Sequence, residues 1–224
     1  MNATESDRGG ERAALVRLIE REVRETAGYT GRSKLHRRVV EAISAVPRER
    51  FVPEFEADSA YANIPLPIGH RQTISQPYIV ALMTDLLDPR PDHVLLEIGT
   101  GSGYQAAVLS QLVDQVYSVE VIAELAASAG ERLESLGCTN VITHHGDGNL
   151  GWPEHAPYDG IIVTAGAPAV PPALVEQLKP GGCLVIPVND GMHQMLQRIT
   201  LDGEGRVSAR DVLPVAFVPL VPGA

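Results

Sequence analysis

Apolar residues in the first part of the chain recur at helical spacing, whereas further on they come in short runs separated by amphipathic stretches. Ala14, Leu15, Leu18, Ile19 and Val23 stand among Arg and Glu residues, which predicts an amphipathic helix from about Glu11 to Thr26. Residues 1–10 are polar, carry mixed charges and include Gly9 and Gly10, so they are expected to form a frayed tail. Gly28 and Gly31 close the first helix. Ser33 is placed to cap a second, whose stripe of Leu35, Val39, Val40, Ile43 and Val46 stops at Pro47. Lys34, Arg37 and Arg38 read as its solvated face. From Pro53 to Pro77 the periodicity is lost, and an irregular stretch of that length inside a compact protein calls for a functional reason. Helical spacing returns from Tyr78 to Leu87.

After Val94 the pattern alternates. Runs at 94–98, 115–120, 140–144, 158–164 and 182–188 read as buried strands, and 102–113, 122–136 and 171–178 as the helices between them. This predicts an α/β fold with a doubly wound, Rossmann-like sheet. Two further apolar runs, 195–201 and 207–218, are joined by Asp202-Gly203-Glu204-Gly205 and predict an antiparallel pair closing the sheet. The expected organisation is a flexible tail over 1–10 and a single domain over 11–224. Within it, 11–90 supplies N-terminal helices and the irregular loop, and 91–224 the Rossmann-like core.

The most informative stretch is Leu95-Leu96-Glu97-Ile98-Gly99-Thr100-Gly101-Ser102-Gly103-Tyr104, a strand ending in an acid and a glycine loop. Glycine at these positions lets the backbone turn sharply and lets a ligand approach it closely. A dinucleotide loop needs its third glycine at the sixth position, where this chain has Tyr104, so a nicotinamide dehydrogenase is disfavoured. Glu120 ends the second strand about twenty residues beyond the loop, where Rossmann-like folds set an acid on ribose hydroxyls. Taken alone, Glu120 also suits a helix N-terminus. Gly146-Asp147-Gly148 follows the third strand. Alone it is a turn; with the other two strand ends it supplies an adenine contact.

Composition narrows the partners. The net charge is -10, which makes nucleic acid an unfavoured ligand. Cys138 and Cys183 lie far apart and indicate neither a disulfide framework nor a zinc site. His144 and His145 are adjacent in a strand and point to opposite faces, while His36, His93, His155 and His193 have no ligand-spaced companions, so no metal is expected. Trp152 has no assigned role. No uncharged apolar run of about 18 residues occurs, and the expectation is a soluble, cytoplasmic protein without a membrane partner.

These motifs together resemble those of the protein-L-isoaspartate O-methyltransferases. The glycine loop with Glu97 is similar to the first motif of S-adenosylmethionine-dependent methyltransferases in general. The more particular likeness is Ile68-Gly69 followed by Thr73-Ile74-Ser75-Gln76-Pro77, with Gly146-Asp147-Gly148, Ala156-Pro157-Tyr158-Asp159, Gln177-Leu178-Lys179-Pro180-Gly181-Gly182 and Leu184-Val185-Ile186-Pro187-Val188. It extends from about Gly31 to Leu220.

The resemblance implies S-adenosylmethionine as cofactor and isoaspartyl-containing proteins and peptides as partners. It implies methylation of the free α-carboxylate, after which the ester closes to a succinimide and repair begins. Ser75 matches the family's active-site serine. Gln72, Thr73 and Ile74 match a cofactor-contacting segment; Glu97, Gly99 and Gly101 would surround the methionine part, Glu120 the ribose, and Asp147 with Gly148 the adenine. The chain departs from the pattern at Arg71, where many relatives have a small residue, at Asn189-Asp190, and in ending at Ala224, where some relatives continue. The competing readings are a methyltransferase for another carboxylate or small molecule, and a cofactor-binding module without turnover.

Overall fold

In a computed structural model, the chain is described over residues 3–191 and 193–223, with side chains from Arg8 onward. Helix α1 (Ala3–Glu25) starts eight residues ahead of the predicted Glu11, so the described part of the expected tail is helical. No proline interrupts 3–10, and Arg8 Nη1 donates both to Glu11 Oε2 at 3.1 Å and across to the Ala57 carbonyl at 2.9 Å. The single turn α2 (Ala27–Thr30) ends at Gly31, and α3 (Arg37–Ala45) follows. The cap of α3 is His36 rather than Ser33. Buried Asp85 draws the lead-in onto the protein: it accepts from the His36 backbone N–H at 2.6 Å and pairs with Arg32 at 3.1 Å, leaving Ser33 outside the helix.

The stretch without periodicity is not shapeless. Short 3-10 turns at Arg48–Phe51 and Glu54–Ser59 lead to an antiparallel hairpin of β1 (Leu66–Gly69) and β2 (Gln72–Ile74), then α4 (Pro77–Leu87). Strands of three and four residues are too short for a period of two to show. The hairpin turns at His70 and Arg71, both left-handed at φ +50° and +59°. Glycine and asparagine favour that conformation, which is a physical reason for a small residue at position 71.

The sheet is as expected in kind and nearly so in extent. Its strands are β3 (Val94–Ile98), β4 (Gln115–Glu120), β5 (Val141–His145), β6 (Tyr158–Val163), β7 (Leu178–Asn189), β8 (Gln194–Leu201) and β9 (Val207–Val215), with α5 (Tyr104–Ser110), α6 (Ala123–Ser135) and α7 (Pro172–Glu176) between them. They lie in the order β5-β4-β3-β6-β7-β8-β9. The first five are parallel, and β8 and β9 are antiparallel to their neighbours. Strand β7 begins at Leu178, where the sequence pattern continues a helix.

Both faces are buried, which is why the strands read as continuous apolar runs. Leu95, Ile162 and Val185 pack with α4 and α5 on one side; Leu96, Ile98, Ile161 and Leu184 pack with Leu174 of α7 on the other. The order reverses between β3 and β6, and in open α/β sheets that switch point opens a crevice at the carboxyl ends of the strands. Among the described residues no helix is long and apolar enough to cross a membrane, and no three His, Cys, Asp or Glu side chains are grouped to hold a metal ion.

Candidate active site

The glycine loop closes over that crevice. Gly99 has φ +94°, and a Cβ there would lie 2.5 Å from Thr164 Oγ1. Thr164 follows β6 and locks the loop, donating through Oγ1 to the Gly99 carbonyl at 2.7 Å and through its backbone N–H to the Ile98 carbonyl at 2.9 Å. The β1–β2 hairpin lies above: Ile68 Cδ1 is 3.4 Å from where a Cβ on Gly101 would stand. Hairpin and loop bound one cavity, lined by Gln72, Thr73, Ile74, Ser75, Gly99, Gly101, Glu120 and Gly148 together with Thr164 and residues 218–221. The irregular stretch thus folds back over the glycine loop.

Glu120 is buried against the loop and accepts from the Gly101 backbone N–H at 2.7 Å and the Ile122 N–H at 3.0 Å, one on each oxygen. Each oxygen retains capacity for another donor, which suits a ribose diol. Among the described residues no lysine or arginine lines the cavity. Glu120 is the one charged side chain among the described lining residues, so the cavity has an acidic bias that suits a cationic ligand.

Two expected site residues lie elsewhere. Glu97 is fully buried beneath the loop and does not line the cavity. Ser118 Oγ donates to its Oε2, Thr100 Oγ1 lies 2.6 Å from that serine hydroxyl, and Oε1 has no partner. Burial pushes its carboxyl up to about 8, with the Ser118 hydrogen bond opposing and the Glu120 charge adding to the shift. The alternation of β3 sends Glu97 to the α4 and α5 side, so being next to the loop in sequence does not bring it to the cavity wall. Asp147 is also outside the cavity. Its Oδ1 accepts from the backbone and side-chain amides of Asn149, each at 2.8 Å. Burial raises its pKa, but those hydrogen bonds outweigh it and hold the carboxyl below its ordinary range.

The burial of Glu97 has a measurable consequence. Its ordinary value is 4.5, so between that and about 8 the folded protein keeps a proton that the unfolded chain has released. Stability from this group is full below the lower value and is lost as pH rises through the upper one, by up to about 1.4 kcal/mol per pH unit. Glu97→Gln should therefore be least different from the wild type at pH 5 and relatively more stable towards pH 8. Urea unfolding across that range checks it; parallel curves would show an ordinary, ionised carboxylate.

Thr164 and residues 218–221 line the cavity but are not among the site residues expected from the sequence. Thr164 carried a signal, as a polar residue following a buried strand in the manner of Glu120. Residues 218–221 carried none. The run predicted as a strand to Val218 leaves the sheet after Val215, because the Gly166 N–H donates to the Val218 carbonyl at 2.8 Å and the Leu220 N–H to the Gly166 carbonyl at 2.9 Å. These bonds draw the C-terminal segment over the crevice.

Ser75 is half-buried at the cavity wall. Its carbonyl accepts from Nη1 of Arg48 at 3.0 Å, and the same guanidinium donates to Ala60 at 2.8 Å and Ile64 at 3.2 Å. Arg71 is exposed at the hairpin turn, outside the cavity. Trp152 packs edge-on to Tyr117 and stacks on His144, which gives it a structural place away from the loop.

The Rossmann-like sheet, its glycine loop and a cavity at the switch point lined by the Glu120 carboxylate are those of the S-adenosylmethionine-dependent methyltransferase class. The chain belongs to the protein-L-isoaspartate(D-aspartate) O-methyltransferase family, whose model matches residues 27–224. It is 52% identical over 224 residues to protein-L-isoaspartate O-methyltransferase 2 of Syntrophobacter fumaroxidans, covering all of this chain and 91% of that one. It is 54% identical over 206 residues to the protein of that name from Nitrosococcus oceani, covering 92% and 94%. Among solved structures, a protein-L-isoaspartate O-methyltransferase superposes with TM-score 0.80 at 29% identity, over 93% of this chain and 65% of that one. A second, from Plasmodium falciparum in complex with S-adenosyl-L-homocysteine, shares the fold with TM-score 0.76 at 24% identity, over 93% and 97%. S-adenosylmethionine is the cofactor of the family.

Proposed function

We propose that this chain methylates the free α-carboxylate of L-isoaspartyl residues in damaged proteins and peptides, producing the ester that closes to a succinimide and starts repair. The observation that carries the reading is the position of Ser75. It lines the glycine-loop cavity and also a second, adjoining cavity of about 480 Å³ between α1 and the segment after β9. Thr73, Thr164 and Val218 are shared by both as well. The first suits the cofactor and the second the acceptor, with the serine hydroxyl at the junction.

Bound S-adenosylmethionine supplies an electrophilic methyl on a sulfonium. The acceptor carboxylate is already ionised near neutral pH, so no general base is required of the protein. The bound cofactor would supply its methyl to a carboxylate oxygen and would keep the electron pair of the carbon–sulfur bond as the thioether. The protein's contribution is position and desolvation. Ser75 donates to the acceptor carboxylate, Glu120 and the backbone at Gly99 and Gly101 hold the nucleoside and amino-acid parts, and residues 218–221 keep water out.

The test is methyl transfer from labelled cofactor to an isoaspartyl peptide and to its aspartyl twin. Labelling of the first alone is expected; labelling of both, or neither, overturns the reading. In Ser75→Ala the turnover should fall by about tenfold to a hundredfold, the size of a hydrogen bond to a charged group, while cofactor affinity changes by about twofold at most. Unchanged turnover would remove Ser75 from the acceptor side.

A further inference from the structure

The acceptor cavity has a chemical bias. Its walls are apolar and neutral polar side chains, among them Thr26, Gln76, Tyr78 and Phe217, and its single charged lining residue is Glu22, from α1. The Glu22 carboxylate is oriented by two neutral amides. Asn63 Nδ2 donates to Oε2 at 2.5 Å, and Gln76 Nε2 to Oε1 at 3.3 Å. Asn63 is itself fixed, since its Oδ1 accepts from the Tyr78 backbone N–H at 2.9 Å. Among the described residues no lysine, arginine or histidine pairs with Glu22. A half-buried carboxylate so held keeps lone pairs for another donor, and the low-dielectric wall strengthens its field across the cavity.

We propose that Glu22 makes the enzyme select isoaspartyl peptides that carry a lysine or arginine beside the damaged residue. This rests on the acceptor reading of the cavity. The same field opposes a carboxylate at the Glu22 end, so it orients the substrate with its acceptor carboxylate towards Ser75 and its cation towards α1. Gln76 adjoins Ser75 in the chain and touches Glu22, which places the two ends within a few residues of peptide. A purely structural Glu22, anchoring Asn63 and Gln76, would affect all peptides alike.

The experiment uses one isoaspartyl peptide with lysine, norleucine or glutamate at each of the two positions on either side. At low salt the wild type should show a KM about threefold to fivefold lower for lysine than for norleucine at one or more of these positions, the order of a half-exposed ion pair, with glutamate worst. The advantage should shrink as salt rises. Binding of the same peptides to the S-adenosylhomocysteine complex, followed by anisotropy, should show the same order. Glu22→Gln should bring the lysine-to-norleucine ratio to about one, and Glu22→Lys should reverse it. Equal KM for the three peptides in the wild type, or a ratio that survives Glu22→Gln, overturns the inference and leaves the function standing. Absence of transfer to every isoaspartyl peptide overturns the function, and this inference with it.

Discussion

Arg48→Met is expected to lower the unfolding free energy by on the order of 3 kcal/mol and the Tm by roughly 6–12 °C. Arg48 is the largest fully buried side chain, and among the described residues no carboxylate pairs with it. Each of its three nitrogens donates instead to a carbonyl, of Ala60, Ser75 or Ile64, and its guanidinium lies 5.2 Å from the Tyr104 ring centroid. Burial pulls its pKa down to about 10, which leaves it charged at neutral pH. Methionine can fill much of the space but has no donor, so a buried carbonyl and two partly buried ones lose their partner together. A lysine has a point charge in place of a planar fork and should recover less than half of the loss. The segment released is the one that carries Ser75, so KM for the acceptor should rise in the fraction that stays folded. Urea denaturation and steady-state kinetics check both parts. A loss below about 1 kcal/mol would mean that packing alone holds residues 60–75.

Gly99→Ala should weaken cofactor binding at least tenfold, and lower stability by about 2 kcal/mol. Two effects combine. At φ +94° any L side chain is strained, and the new methyl would stand 2.5 Å from Thr164 Oγ1. Relief requires that threonine to move, and it then loses its bond to the Gly99 carbonyl. The contact can be separated from the strain. In Gly99→Ala combined with Thr164→Ala the clash is gone, so the pair should be less damaging than the sum of its single changes, by an amount a double-mutant cycle measures. Calorimetry with S-adenosylhomocysteine and thermal unfolding provide the readouts. Wild-type affinity in the single variant would show that the loop tolerates displacement at its first glycine.

The parts of the protein legible in one dimension were those where local pattern and tertiary role coincide. The buried strands of the parallel sheet are runs of apolar residues because both faces are covered, and the glycine loop is visible because its backbone excludes side chains. Glu120 lines the cavity because it stands at a strand end beside the glycine loop. Glu97 shows the limit. It is as close to the loop in sequence as Glu120 is in space, yet the alternation of β3 turns it into the α4 and α5 layer, where burial keeps it protonated. The β1–β2 hairpin was hidden for another reason: with three and four residues per strand it is held by burying Leu66 and Ile74 in the core, a tertiary contact and not a local pattern.

Sequence by itself determined the sheet class, the antiparallel closing pair, the cofactor loop and, through Thr73-Ile74-Ser75, the family whose chemistry the chain carries. These are encoded in spacing that a single element enforces. Only the tertiary structure decided which of the candidate acids lines the crevice, what covers it, and where the adjoining cavity lies. Thr164, residues 218–221 and Glu22 come to Ser75 from three separate regions of the chain. They line these cavities only because β6, the C-terminal segment and α1 converge there, and no local periodicity reports a meeting of that kind.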